Sequence, residues 1–333
     1  MTNSKTLIKN LFYFIGSKKI IQSLVKPWSG NSLILCYHRI KNNSDSYFNP
    51  CDSLNISKEL FESHISYISS NFKIVSLDEM FENKNDNQFR IAITFDDGYK
   101  DNISEGLPIL EKYNAPLTLF ISTRFLKEDK QTWWYDLWEL FKSNEKIKFS
   151  LNNKEFSLRS QSLNEKIKNY NFLSNELIMM NYRNQKVFLD DVLSRYDFKK
   201  NNQEFLSEKD VKNLASNGLV TIGCHTHTHA SLAHLSSNEI KIEMKNSKSY
   251  LEDLTRKKID HIAYPYGRKE NISEDVISNA KNLGFKYGYT TICNSLDNNN
   301  YRIPRHTINN TINIKRLKTK LSGFNSFWKI QAS

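Results

Sequence analysis

Cysteine is scarce in this chain: Cys36, Cys51, Cys224 and Cys293 are the only four in 333 residues, and no two form a Cys-x-x-Cys pair. At this length the pattern speaks against a disulfide framework, and reduced thiols are expected. Cys224 adjoins His225, where a soft metal ligand and a small buried residue both fit; burial is the expectation. Long apolar runs are missing as well. No stretch approaches the ~20 apolar residues of a membrane-spanning helix. Runs of Lys and Arg long enough for a basic arm are absent, as is any basic-aromatic recognition motif, so nucleic-acid binding ranks last. The lysines alternate with Asn, Ser and Glu and read as a solvated basic surface. The net charge of +11 and pI near 9.2 still favour an anionic neighbour such as a membrane surface or an acidic glycan. No internal repeat is visible.

What is present begins with a basic amphipathic segment. Lys5, Lys9, Lys18 and Lys19 flank Leu11-Phe12-Tyr13-Phe14-Ile15, within a helix expected over residues 1–30. The apolar block is too short for a signal-peptide core, and no small-residue cleavage pattern follows. Two roles fit it: packing on the domain, or peripheral attachment to an anionic membrane. The expected location is cytoplasmic, with contact at the inner membrane face as the functional option.

An apolar fraction of 39% with 12% aromatics suits a globular chain, and 333 residues can bury one large α/β core or two smaller ones. The apolar run 33–37 ends at His38-Arg39, as expected of a buried parallel strand with polar groups at its C-terminal end. Ser57 is placed to cap a helix in which Leu60, Phe61, His64, Ile65 and Ile68 recur at helical spacing. Further strands are expected at 74–77, 91–95, 117–121, 219–223, 259–264 and 287–291, and helices at 102–113, from Ser207 to near Gly218, at 236–254 and at 273–283. This alternation predicts βαβ units and a parallel sheet, with functional groups at the C-terminal ends of strands. Between 128 and 205 the character changes. Trp133, Trp134, Tyr135 and Trp138 cluster there, and Lys/Asn-rich, largely helical sequence with little β signal follows. We read 128–204 as an insertion or lid, 31–127 and 205–310 as the core, and 311–333 as a C-terminal extension.

Two clusters carry the chemistry. Thr94-Phe95-Asp96-Asp97-Gly98 closes the run Ile91-Ala92-Ile93, and His225-Thr226-His227-Thr228-His229 follows the strand expected at 219–223. One carboxylate with two imidazoles is a ligand set for a divalent metal with an open position, which hydrolytic chemistry requires. A spare carboxylate beside it can serve as general base. Alone, Asp96 and Asp97 would equally suit helix-capping groups in a βα turn. Adjacent side chains of an extended segment point to opposite sides, so the turn at Gly98 must rotate one carboxylate toward the metal. For the histidines, an extended segment puts residues 225, 227 and 229 on one face. A helical turn aligns 225 with 229 and sends 227 away.

These two segments and Tyr264-Pro265-Tyr266-Gly267, in that order and spacing, resemble the successive motifs of the polysaccharide deacetylases, the NodB homology domain of carbohydrate esterase family 4. The resemblance covers about residues 33–125 and 205–305. It implies an α/β fold, a distorted (β/α)7-type barrel, carrying the mainly helical insertion. It implies Asp96 as general base and Asp97, His225 and His229 as ligands of one divalent ion, zinc above others. His227 falls in the variable slot, Thr226 would hold the loop by a local hydrogen bond, and the backbone N–H of Tyr99 would help bind the oxyanion. Two departures stand out. The stretch Ile262-Ala263-Tyr264-Pro265-Tyr266-Gly267 lacks the arginine that orients the base in many members, and Arg305 or Arg302 is the candidate replacement. The usual C-terminal Leu-x-His motif is not evident, whereas Leu35-Cys36-Tyr37-His38 stands near the N-terminus. That is similar to the circularly permuted branch acting on biofilm exopolysaccharides, and it implies His38 as general acid with His306 as the rival. Substrate contacts are expected from Tyr99, Tyr266, Trp133 and Trp134, the tryptophans stacking on a sugar ring or else anchoring the insertion.

The activity implied is metal-dependent removal of N-acetyl groups from a polysaccharide or lipid-linked glycan, with release of acetate. An O-acetyl esterase using the same site is one alternative. A catalytically silent carbohydrate-binding protein of the same fold is another, against which the intact Asp96, Asp97, His225 and His229 argue.

Overall fold

The computed structural model describes residues 32–42, 49–82, 89–127, 132–198, 203–292 and 299–321. The basic segment expected over 1–30 and Cys293 lie outside the described residues. In chain order the strands are β1 (Ser32–Tyr37), β2 (Arg39–Ile40), β3 (Asn55–Ile56), β4 (Lys73–Ile74), β5 (Arg90–Phe95) and β6 (Leu117–Ile121). The insertion contributes β7 (Lys146–Leu151) and β8 (Lys154–Arg159), and the chain returns through β9 (Val220–Cys224), β10 (His261–Ala263), β11 (Tyr287–Thr290), β12 (Ile303–Pro304) and β13 (His306–Thr307).

One sheet runs in the order β12-β11-β10-β9-β6-β5-β1-β13, with β4 beside β5. Its pairings are parallel. The two edge strands, β12 and β13, are neighbours in sequence with only Arg305 between them. Ile303 and Pro304 pair with Tyr289 and Thr290, while His306 and Thr307 pair with Leu35 and Cys36. The sheet therefore curls until its edges meet, a nearly closed barrel sealed at Arg305. Neither closing strand leaves a signal in the sequence, because two residues are too few to show a period.

Residues of the barrel strands alternate between two hydrophobic layers. Leu35, Ile93, Leu119 and Ile121 pack outward against helices, while Ile34, Ala92, Phe120 and Tyr289 fill the interior. Coverage of both faces is why these strands read as apolar runs rather than as alternating patterns. Helix starts are set by side chains: the Ser57 hydroxyl accepts from Leu60 N, and Ser207 and Ser236 form capping boxes with Asp210 and Glu239. The strand expected at 74–77 is shorter than its apolar run. Glu79 accepts from Ser76 N (2.9 Å) while Glu79 N donates to the Ser76 hydroxyl (3.1 Å), and this reciprocal cap starts a helix at Leu77. Part of the expected C-terminal extension is core: the helix Ile314–Leu321 buries Leu317 and Leu321 in the outer layer.

Between β6 and β9 the chain builds a second core. The helices Trp133–Ser143, Leu163–Ile178 and Tyr182–Leu193 close with β7 and β8 around Leu137, Phe141, Phe149 and Leu173. The hairpin is a departure from the expected lack of β structure here. Ile147, Phe149 and Leu151 are buried and alternate with exposed neighbours, and Asn152 and Asn153 turn the chain with positive φ, as a two-residue hairpin loop requires. Among the described residues no helix is long and apolar enough to cross a membrane.

Candidate active site

His38, Asp96 and His225 directly follow β1, β5 and β9, so the parallel sheet delivers all three to one end of the barrel. The backbone there is unusual. Gly98 N donates to Asp96 O (2.9 Å) around Asp97, whose φ is 72°. This γ-turn of positive φ is rare and strained. It turns the chain between the two carboxylates and so resolves the opposed directions that an extended segment would impose. Beyond β10 a second such turn closes from Gly267 N to Pro265 O (2.7 Å) around Tyr266, at φ 63°. Thr226 (φ 63°) and His229 (φ 62°) are left-handed too. Four of the eight non-glycine residues with positive φ among the described residues thus gather in one place. Strain of this kind persists where the surroundings over-determine it, and it clusters at functional sites.

Asp97 Oδ1 lies 3.4 Å from His225 Nε2 and 3.1 Å from His229 Nε2. Although close, these atoms are not aligned for hydrogen bonding, and the buried Oδ1 has no hydrogen-bond partner among the described residues. Asp97, His225 and His229 each offer an atom within 4.8 Å of the others. His225 Nδ1–H donates to the carbonyl of Ala263 (2.7 Å), which fixes the tautomer and turns the Nε2 lone pair toward Asp97. The His229 ring is set by its neighbours Tyr266 and Trp134, at centroid distances of 5.0 and 5.4 Å. Burial alone would raise the Asp97 carboxyl, but contacts with His225 and His229 hold it well below the usual carboxylate range. One carboxylate with an unpaired buried oxygen and two imidazoles this close together fit a divalent ion.

The histidine segment is neither extended nor helical. Its two left-handed residues fold it so that His225 and His229 converge, while His227 turns away and places Nδ1 2.8 Å from the Thr123 hydroxyl. The hydrogen bond expected of Thr226 is not made: its hydroxyl is buried without a partner among the described residues. Other groups hold the loop. Thr123 N and Arg124 N donate to the carbonyls of Thr226 and His227 (3.2 and 3.0 Å). The Glu243 carboxylate accepts from His227 N, Thr228 N and the Thr228 hydroxyl (3.0, 2.8 and 2.7 Å). Neither Thr123 nor Glu243 is marked in the sequence, since Thr123 lies 104 residues from His227 and Glu243 reaches the loop from the following helix.

Asp96 has a different environment. Arg305 grips it with two parallel bonds, Nη1 to Oδ1 at 2.6 Å and Nη2 to Oδ2 at 2.7 Å, and the Cys36 thiol donates to Oδ2 (3.3 Å). Burial would raise this carboxyl, yet the Arg305 guanidinium outweighs it and holds the group at about 2. Arg302 instead pairs with Glu274 at the surface (2.5 Å). Alternation along the seam separates the candidates, because successive side chains face opposite sides. Arg305 enters the barrel, whereas His306 pairs in register with outward-facing Leu35 and lies near Lys320 of the C-terminal helix. His38 is the histidine the structure brings to Asp96: His38, Cys36 and Asp96 each offer an atom within 4.8 Å of the others. Burial lowers the His38 pKa below the ordinary imidazole value, against the opposing pull of Asp97 and Asp96.

The remaining residues sort by burial. The Tyr99 ring is buried, stacked on Phe205 (4.6 Å) beneath the Arg39 guanidinium (4.2 Å), so its side chain is not open to a ligand. Its backbone differs, because the bridge to Phe205 is closed by Lys100 N to Glu204 O and Leu206 N to Gly98 O, and the Tyr99 N–H takes no part in it. Trp133 and Trp138 belong to the core of the insertion, and Trp133 also touches Tyr266. Trp134 and Tyr266 are half-buried beside His229. Cys224 is a buried residue that donates to the Ser247 hydroxyl (3.2 Å) and takes no part in the site.

The sequence profile of the polysaccharide deacetylases matches residues 83–288, more than half of the chain. The chain belongs to the polysaccharide deacetylase family. Among its relatives, YxkH of Bacillus subtilis, assigned by name to the polysaccharide deacetylases, is 22% identical over 263 residues. The match covers 78% of this chain but 63% of YxkH, so this chain spans less than two thirds of that relative. A poly-β-1,6-N-acetyl-D-glucosamine N-deacetylase of Staphylococcus aureus is 23% identical over 303 residues, 84% of this chain and 80% of the relative. The Streptococcus pyogenes deacetylase PplD, solved in complex with acetate, aligns with a TM-score of 0.58 at 20% identity over 87% of this chain and 97% of PplD. The barrel is therefore the polysaccharide deacetylase barrel, and the two carboxylates and paired histidines lie within the matched region.

Proposed function

We propose that this chain is a metal-dependent N-deacetylase of an N-acetylated polysaccharide or lipid-linked glycan. The observation that carries the reading is the division of labour between adjacent carboxylates, Asp97 facing His225 and His229 while Asp96 is gripped by Arg305. The resemblance to the poly-β-1,6-N-acetyl-D-glucosamine N-deacetylase makes β-1,6-linked N-acetylglucosamine oligomers the first substrate to try.

Asp97, His225 and His229 would hold the ion, and a His₂-carboxylate set suits zinc. The chemistry supplied there is polarisation of the acetamide carbonyl and acidification of a water molecule. Asp96, kept ionised by Arg305, takes a proton from the attacking water as its oxygen bonds to the carbonyl carbon. The N–H of Tyr99, which donates to no acceptor among the described residues, is the donor offered to the developing oxyanion. His38, neutral at rest through burial and next to Asp96, relays the proton to the sugar nitrogen as the C–N bond breaks. Acetate and a free amine result. Trp134 and Tyr266 offer apolar faces to the substrate, and Trp133 holds Tyr266 in place. The position of His38 at the end of β1 supports the permuted order of motifs.

Zinc-loaded protein is expected to bind about one ion per chain and to release acetate from N-acetylglucosamine oligomers, and His225→Ala to lose both properties. Protein that binds no divalent ion, or loaded protein inactive on every N-acetyl sugar tried, overturns the reading. His38→Ala is expected to lower kcat by roughly 100-fold or more with little change in zinc affinity, whereas His306→Ala keeps wild-type turnover. Equal losses in the two variants would remove His38 from its role.

A further inference from the structure

We infer that Glu243 is the positioning residue of the metal-binding loop. The inference rests on the metal-site reading above and names the group that gives His225 and His229 their spacing.

The backbone hydrogen bonds of the loop can be followed one by one. His225 N donates to Ile121 O (3.0 Å), and the Ser122 hydroxyl donates to His225 O (2.7 Å). The carbonyls of Thr226 and His227 accept from Thr123 N and Arg124 N. Everything on this side comes from the last residue of β6 and the segment that follows it. The N–H groups of His227 and Thr228 point the other way, and both go to Glu243 Oε2, while Oε1 takes the Thr228 hydroxyl. Between these two holds lies left-handed Thr226, and beyond them left-handed His229. Neither residue is a glycine that would adopt this conformation freely, and the Thr226 hydroxyl contributes no bond among the described residues. A loop with two strained residues and no internal side-chain brace keeps its shape only through outside contacts.

Glu243 is well mounted for this. It sits in the second turn of the helix Ser237–Thr255, whose start is fixed by the Ser236–Glu239 capping box. Its neighbours Ile240 and Met244 are buried in the barrel's outer core. The carboxylate is not one of the atoms that face the ion position; it acts on the histidines through the backbone between them. Groups that hold metal ligands from behind in this way set the orientation of the ligands and with it the affinity for metal.

The test is zinc affinity of the full-length protein, measured by competition with a chromophoric chelator. Glu243→Ala is expected to weaken zinc binding about 10–100-fold. Glu243→Gln is expected to stay within about threefold of the wild type, since its amide oxygen can still accept both N–H groups while its NH₂ donates to the Thr228 hydroxyl. Wild-type affinity in Glu243→Ala overturns the inference, and so does an equal loss in both variants, which would make charge rather than hydrogen bonding the cause. Should Glu243→Ala fail to fold, Thr228→Val removes one of the three bonds and must show a smaller loss in the same direction; no loss overturns the inference. Wild-type protein without zinc affinity fails the metal-site reading itself, which separates that failure from one confined to Glu243.

Discussion

Asp96→Asn is expected to release acetate about 10²–10⁴-fold more slowly than the wild type while still binding zinc. An asparagine has nearly the same shape as the aspartate but cannot take a proton from water. Zinc should remain because the atoms facing the ion position belong to Asp97, His225 and His229, while both oxygens of Asp96 are committed to Arg305. Asp97→Asn is the informative counterpart. It weakens the only negative ligand and is expected to lose zinc and turnover together. Acetate release and chelator competition on the two variants separate a base from a ligand at adjacent positions. Wild-type turnover in Asp96→Asn, or loss of zinc from it, contradicts the assignment.

Arg305→Met carries the largest expected effect on stability. Both charges of the Arg305–Asp96 pair are buried, and removing one partner of such a pair costs about 3–5 kcal/mol. That is a large share of the ~5–15 kcal/mol that usually holds a domain folded. The deficit should depend on pH. With Arg305 in place the folded Asp96 carboxyl stands at about 2, below the ~3.9 of an unfolded chain. Its contribution to stability is therefore present above the unfolded value and lost as pH falls through the folded one. Without Arg305, only His225 and His38 still oppose the effect of burial, and the folded carboxyl rises, so the penalty is greatest near neutrality and shrinks as pH falls. Denaturant unfolding at about pH 7.5 and about pH 4.5 should show a smaller deficit at the lower value. The double variant Arg305→Met/Asp96→Asn should recover much of the loss, because no unpaired charge remains. A deficit that is the same at both pH values, or no recovery in the double variant, contradicts this account.

The barrel is largely legible in the sequence because parallel strands covered on both faces leave uninterrupted apolar runs. The run 117–121 is β6 with the same bounds, and the expected strand at 219–223 appears one residue later as β9. The candidate residues are legible for a related reason: each polar cluster stands at the end of such a run. What escapes is geometry set by contacts between distant segments. Nothing in Thr226, Tyr266 or Asp97 announces a left-handed backbone, since none is a glycine. Glu243 looks like any other residue of an amphipathic helix until the loop it braces is in place. The choice between Arg302 and Arg305, which flank the two-residue strand β12, turns on which side of the seam each faces, and a strand that short has no readable period. The β7–β8 hairpin was within reach, for its period-two pattern and Asn-Asn turn are both in the sequence, masked by the helical segments on either side.

The seam at Arg305 also orders events during synthesis. Asp96 leaves the ribosome 209 residues ahead of the guanidinium that neutralises it, an interval of about 10–40 s at ~5–20 residues per second. Any sheet that formed around β5 in that interval would lack the guanidinium that pairs with Asp96, and an unpaired carboxylate disfavours a dry interior. Docking of residues 303–307 supplies the last pairings and the missing cation together. The proposed base is thus paired only when the barrel is shut, and a chain released early would carry an open flank that chaperones and proteases can recognise.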